Sequence, residues 1–239
     1  MYSKLVSYKR LSPNFTKGRN HKIDTITIHC VAGDATVEGI GATFAPTSRK
    51  ASSNYGIDSK GRIGVYVEEE NRSWCTSSSS NDNRAITIEV SNYAGADKGW
   101  PITKAAYNSL INLLVDVCQR YKIPKLMWRG DKSLIGQVDK QNMTAHRWFA
   151  NTDCPGSYIY SREGQIAADV NARLNKNTEE DDEDMVVRYK KLEEIPDYGK
   201  KTIKKLIDKG VIKGNEDGLN LTEDMVRILV YNDRAGLYT

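Results

Sequence analysis

His29, His146 and Cys154 are the residues of this 239-residue chain whose types and order could hold a metal ion. The chain has three histidines in all, which leaves little room for a rival constellation. His29 closes the alternating run Ile23-Asp24-Thr25-Ile26-Thr27-Ile28-His29, which reads as a strand delivering an imidazole at its end. His146 and Cys154 bring an imidazole and a thiolate from one short segment that ends in Pro155-Gly156. Two His and one Cys leave tetrahedral Zn²⁺ a fourth position for water, the catalytic rather than the structural pattern. Residue types alone leave a second reading open, because a buried His or Cys is more often a packing residue. A strand end and a Pro-Gly turn are nevertheless where a rigid scaffold presents functional groups.

The elements that must position these residues are legible as pattern. Strands are expected at Thr25–His29, Ser53–Ile57, Ile63–Val67 and Ala85–Val90, with a hairpin turn at Asp58-Ser59-Lys60-Gly61. Thr103 suits the cap of a helix over Lys104–Tyr121, where Leu110, Leu113, Leu114, Val117 and Cys118 recur at helical spacing before Pro124. Gly164–Leu174 reads as a final, weaker helix of this part. Strands interleaved with helices indicate an α/β domain with a central sheet over residues 1–174. The acidic run within residues 175–184 holds six consecutive carboxylates, which repel one another and favour a solvated linker. Residues 185–239 read as a small all-α domain. Asp197 is its first expected cap, before Tyr198–Lys209, and Thr222 its second, before a helix that turns Met225, Ile228 and Leu229 inward. A core this thin invites docking or self-association, so a homo-oligomer is a possible state.

Four segments in order, Ile26-Thr27-Ile28-His29, Ser52-Ser53-Asn54-Tyr55-Gly56-Ile57, Ile86-Thr87-Ile88-Glu89-Val90 and His146 to Cys154-Pro155, resemble the type 2 N-acetylmuramoyl-L-alanine amidases. That family comprises phage endolysins, bacterial autolysins and the related peptidoglycan recognition proteins. The resemblance covers about residues 20–172 and looks closest to amidases of Gram-positive bacteria and their phages. It implies a central mixed sheet flanked by helices, a groove over the metal, and Zn²⁺ on His29, His146 and Cys154. It further implies hydrolysis of the amide between N-acetylmuramic acid and L-alanine in peptidoglycan, hence a bacteriolytic, cell-wall-degrading hydrolase.

Glu89 lies in an otherwise apolar strand, where a carboxylate needs a partner or a task. The resemblance makes it the general base; the alternative is a glutamate on the solvated face. Thr152 matches a position where relatives carry Lys, Arg or Thr to steady a developing oxyanion, and a turn-capping threonine is the equal alternative. Tyr55 is a candidate substrate contact by the resemblance, against a plain core tyrosine. Trp148, inside the ligand segment, is the one tryptophan expected beside the groove. Arg147 reads as a solvated arginine or as a partner for a stem-peptide carboxylate. The polar run Thr76–Asn83 reads as a loop at the groove rim, and Cys30 and Cys118 as buried small hydrophobes.

The net charge of +4 mildly favours an acidic partner and decides nothing. Lys200, Lys201, Lys204, Lys205 and Lys209 form a basic helix face, solvated or drawn to anionic wall polymers. No nucleic-acid partner and no membrane insertion are expected. The first ten residues lack the apolar core of a signal peptide, so synthesis in the cytoplasm and release through a holin-opened membrane are the expectation for an endolysin. Two rivals remain at this stage: a wall-binding module without catalysis, and a cysteine hydrolase using Cys154 with His146.

Overall fold

The structure is a computed structural model that describes residues 1–185, 188–216 and 218–238, the side chains of 177–185 lying outside the description. The chain divides into two units, Met1–Asn175 and Lys176–Thr239.

In the first unit the alternation read from sequence sets the two faces of a sheet. Strand β3 (Thr25–Cys30) runs parallel to β7 (Ala85–Val90), with Thr27 opposite Thr87 and His29 opposite Glu89. Side chains alternate along a strand, so Thr27, His29, Thr87 and Glu89 share one face, and Ile26, Ile28, Ile86 and Ile88 the other. On the far side of β7 lies β4 (Tyr55–Ile57), parallel to it, and then β5 (Ile63–Val65), antiparallel to β4. Edge strands β1 (Tyr8–Lys9) and β8 (Met143–Thr144) complete a mixed sheet of order β1-β5-β4-β7-β3-β8. A separate antiparallel ribbon joins β2 (Phe15–Thr16) to β6 (Arg72–Ser73).

The isoleucine face is covered by α3 (Lys104–Tyr121), whose Leu110, Leu113, Leu114 and Val117 are fully buried against it. Each such aliphatic side chain contributes about 1.5–3 kcal/mol on burial. Thr103 caps α3 as its residue type promised, its hydroxyl accepting from the Ala106 N–H at 3.0 Å. The opposite, polar face is left for function. There α1 (Val37–Phe44) lays Ile40 and Phe44 beside Tyr66. Two glycines inside α1 hide its period; the Thr36 cap and this packing hold it. The run expected as a rim loop contains α2 (Ser79–Arg84), capped by Ser78. Asp82 of α2 accepts from the N–H groups of Cys75 and Thr76 and from the Thr76 hydroxyl, which offsets the polarity of the segment.

Strand β4 starts later than expected because Asn54 leaves the ladder to bond the Thr87 hydroxyl through its N–H at 3.0 Å. After α4 (Gly156–Tyr160), the last helix of the unit is longer than the pattern suggests: α5 runs Glu163–Met185, so its backbone continues through the acidic run read as a linker. Glutamate is a good helix former, and each like-charge pair along a helix costs only a few tenths of a kcal/mol.

The second unit pairs α6 (Asp197–Asp208) with α7 (Glu223–Arg234) over Ile195, Ile203, Leu221, Val226 and Val230. A short antiparallel ribbon, β9 (Arg188–Tyr189) with β10 (Leu221–Thr222), closes it. Thr222 caps α7 through the Met225 N–H at 3.2 Å, whereas Asp197 is the first helical residue of α6 and Pro196 holds the cap position. Met225 and Ile228 point outward, Leu229 packs half-buried against the cluster as expected, and Val226 and Val230 are the fully buried residues. Apolar residues ring α7, so period alone admits two phases. The close approach of Val226 to Gly199, where an added Cβ would come within 2.4 Å of it, selects the observed one.

Candidate metal centre

The strand ends of the polar face deliver the chemistry. His29, at the end of β3, points its Nδ1 to Cys154 Sγ at 3.3 Å, and its ring centroid is 5.0 Å from that of His146. One donor atom from each of His29, His146 and Cys154 falls within 4.8 Å of the other two. The Nε2 atoms of both histidines are buried with no hydrogen-bond partner. Burial lowers both imidazole pKa values, His146 adding repulsion at His29, so both rings stay neutral with lone pairs available. The Cys154 thiol is pushed up by its hydrogen bond with Cys30, by burial and by the charge of Glu89. A divalent cation reverses that effect, since a coordinating thiol is deprotonated outright. Two neutral imidazoles, His29 with Nδ1 facing the sulfur and His146 with an unsatisfied Nε2, and one half-buried sulfur form a donor set that fits a metal ion.

The segment carrying His146 and Cys154 is held by its own residues. Arg147 donates through its backbone N–H to the Cys154 carbonyl at 3.2 Å and through Nη2 to the Asp153 carbonyl, and its guanidinium lies 4.4 Å from the Tyr160 ring centroid. Arg147 thus clasps the loop and is more than a solvated charge. Thr152 Oγ1 accepts from the Cys154 N–H at 3.2 Å. The Cys154–Pro155 peptide is cis, and Gly156 follows at φ 81° with no space for a Cβ, which would lie 2.7 Å from the Gly99 carbonyl. Beneath the histidines, the hydroxyls of Thr27 and Thr144 meet at 2.7 Å and both bond Asn81 of α2.

A cavity of about 360 Å³ opens over these donors. Cys30, Val31, Ile40, Phe44, Arg49, Glu89, His146, Thr152 and Cys154 are among the residues lining it, so Glu89 and Thr152 lie with the donor set, as the resemblance implied. Glu89 Oε2 is buried without a partner, and burial, reinforced by Cys30 and opposed by Arg49, raises its carboxyl to about 8. A carboxyl so perturbed, beside a cavity, is poised to exchange a proton near neutrality.

Two expected site residues fall elsewhere. Tyr55 pairs with Ile88, not Glu89, so strand alternation turns it to the α3 face, where it is fully buried and donates to Glu69 Oε1 at 2.5 Å. Gly56 takes the place opposite Glu89. Trp148 is buried too, stacked on Trp128 at 5.0 Å between centroids with Nε1 directed to the Tyr160 hydroxyl, and supports the loop from behind. Cys30, read from sequence as a buried small hydrophobe, is half-buried and lines the cavity, and sequence reading overlooked Cys75 and Arg49. Cys30 follows the isoleucine side of β3 and reaches the cavity only because the strand ends there, and only the fold brings the Cys75 thiol to the polar face.

A model of the N-acetylmuramoyl-L-alanine amidase family matches residues 19–157, more than half of the chain and the whole donor set. The chain belongs to this family of enzymes, which hydrolyse the amide between N-acetylmuramic acid and L-alanine in peptidoglycan. No curated protein matches it significantly. Among solved structures, a mutant of PlyL is similar at 16% identity over 68% of this chain and 96% of that one, with a TM-score of 0.50. The hydrolase AmiA of Staphylococcus aureus in complex with its ligand is similar at 16% identity over 70% and 80%, with a TM-score of 0.49. The likeness to PlyL is one of fold: the central mixed sheet with flanking helices.

Proposed function

We propose that the first unit is a zinc-dependent amidase in which His29, His146 and Cys154 hold the ion and Glu89 serves as general base. The observation that carries this reading is the convergence of three metal-type donors and one perturbed carboxyl on a single cavity. Bound zinc would polarise the amide carbonyl and acidify a water, the two difficulties of amide hydrolysis. Glu89 accepts the proton of the attacking water and returns it to the leaving amine of L-alanine. Arg49, at the cavity wall, lowers the cost of the ionised Glu89. Thr152 keeps the Cys154 N–H satisfied, and its hydroxyl lies in the cavity for the developing oxyanion. Val31, Ile40 and Phe44 give the wall an apolar surface for the alkyl parts of the substrate.

The contact of Cys154 with an imidazole also suits a thiol nucleophile, a reading that inhibition by thiol alkylation together with indifference to complete zinc removal would favour. We take the biological setting to be a phage endolysin acting on Gram-positive walls, residues 175–184 to be the connector, and residues 185–239 to be a wall-targeting or assembly module. Lys200, Lys201 and Lys204 of α6 line a cavity with Leu192 and Glu193; Lys200 and Lys204 pair with Asp197 and Asp208, and anionic wall polymer would compete with those carboxylates for them. Digestion of purified walls by the full chain, with and without a chelator, tests the reaction. New L-alanine amino termini without new reducing ends, lost on chelation, are expected. Reducing ends, or hydrolysis indifferent to complete zinc removal, would overturn it.

A further inference from the structure

The donor set is not the only one on the polar face. His29, Cys75 and Glu89 also bring one donor atom each within 4.8 Å of the others. His29 directs Nδ1 to Cys154, which leaves Nε2 buried and unpartnered, and Glu89 Oε2 is in the same condition. Orphaned buried polar groups cost about 1–3 kcal/mol each, so the fold retains two atoms that a cation would satisfy. Cys75 is fixed in place: its N–H donates to Asp82 Oδ2 at 3.0 Å, and the neighbouring Ser73 hydroxyl bonds that of Thr87 on β7 at 2.8 Å.

We infer that Cys75, Glu89 and the second nitrogen of His29 form an additional, weaker site for a thiophilic divalent cation, and that filling it silences the enzyme. The inference rests on the amidase reading, because its effect is to withdraw Glu89 from proton transfer. Sulfur and nitrogen donors select Zn²⁺, Co²⁺ or Cd²⁺ over Mg²⁺ and Ca²⁺. Binding breaks the Cys75 S–H bond and, where Nε2 carries a proton, its N–H bond; each proton leaves to water as the bond to the cation forms. No oxidant or reductant takes part. Because these protons must be displaced and the ring is shared with the first ion, the second ion binds more weakly than the first.

The test is a titration of the full, metal-free chain with Zn²⁺ followed by equilibrium dialysis, and with Co²⁺ followed by its thiolate charge-transfer absorption. Two ions per chain are expected, the second at higher free concentration. Wall hydrolysis should rise with the first and fall with the second, and the cobalt–thiolate band should grow again at the second step. Cys75→Ala should take up the first ion, lose the second, and show no fall at high Zn²⁺. Should Cys75→Ala fail to take up the first ion through misfolding, Glu89→Gln titrated with Co²⁺ replaces it, with the second step weakened at least tenfold. Uptake that stops at one ion, or a second step unchanged in Cys75→Ala, overturns the inference and leaves the amidase reading intact. Absence of any tight ion overturns the amidase reading itself.

Discussion

Replacing Glu89 by glutamine should slow turnover and, in the metal-free chain, raise stability at alkaline pH. Glutamine keeps the shape of the side chain but cannot accept a proton. A general acid–base group contributes about 10²–10⁴-fold, so kcat should fall by that factor, roughly 3–5 kcal/mol of transition-state stabilisation. The stability effect follows from burial, which raises the carboxyl from 4.5 to about 8 in the fold. Between those values the unfolded chain is ionised while the folded chain keeps its proton. Stability from this group is therefore complete below the unfolded value and is lost as pH rises through the folded one. The difference is worth at most about 5 kcal/mol, less whatever water access to the cavity restores. Glutamine never ionises, so the variant should lack this decline. Urea unfolding of both metal-free proteins at about pH 5 and about pH 9, beside kcat of the zinc-loaded forms, reads both effects. A kcat within tenfold of the parent, or an alkaline loss of stability equally steep in Glu89→Gln, would refute the assignment.

Tyr55→Phe should cost about 2–3 kcal/mol of stability, since its hydroxyl donates to buried Glu69 and accepts from the Ser3 N–H at 2.8 Å, and it should leave kcat unchanged. Calorimetry with steady-state kinetics checks this, and a kcat loss at full stability would return Tyr55 to the site. Thr152→Val removes the acceptor that orients the Cys154 backbone, and groups in that position typically carry 10- to 100-fold in metal affinity. Chelator competition should show that loss in Thr152→Val and its recovery in Thr152→Ser; equal affinities in both would assign the hydroxyl no positioning role.

The parts of the fold set by local chemistry were legible from the residues. The period of α3 and its Thr103 cap, the alternation of β3 and β7, and the turn glycine at Gly61 are properties of neighbouring residues. His29 and Glu89 were found because a polar group at the end of an apolar strand is conspicuous. What stayed hidden depends on non-local register. Tyr55 and Gly56 differ by one position, and only the pairing of β4 with β7 decides which faces Glu89. Trp148 was expected at the groove because it is aromatic and lies near the ligands, whereas its Trp128 partner is twenty residues earlier in sequence. Arg147 became a clasp only once the loop had folded back on itself. α1 and α2 escaped because glycines and polar residues mask their period, and capping with tertiary contacts supplies what propensity lacks.

The most direct measurement of the central claim pairs metal content with chemistry in His29→Ala, His146→Ala and Cys154→Ala. Each purified protein is exposed to a single equivalent of zinc, passed through a desalting column, analysed for metal, and incubated with purified walls. The parent should retain its ion and release L-alanine amino termini, and each variant should lose both together. A variant that stays free of metal yet releases amino termini at the parental rate would contradict the account.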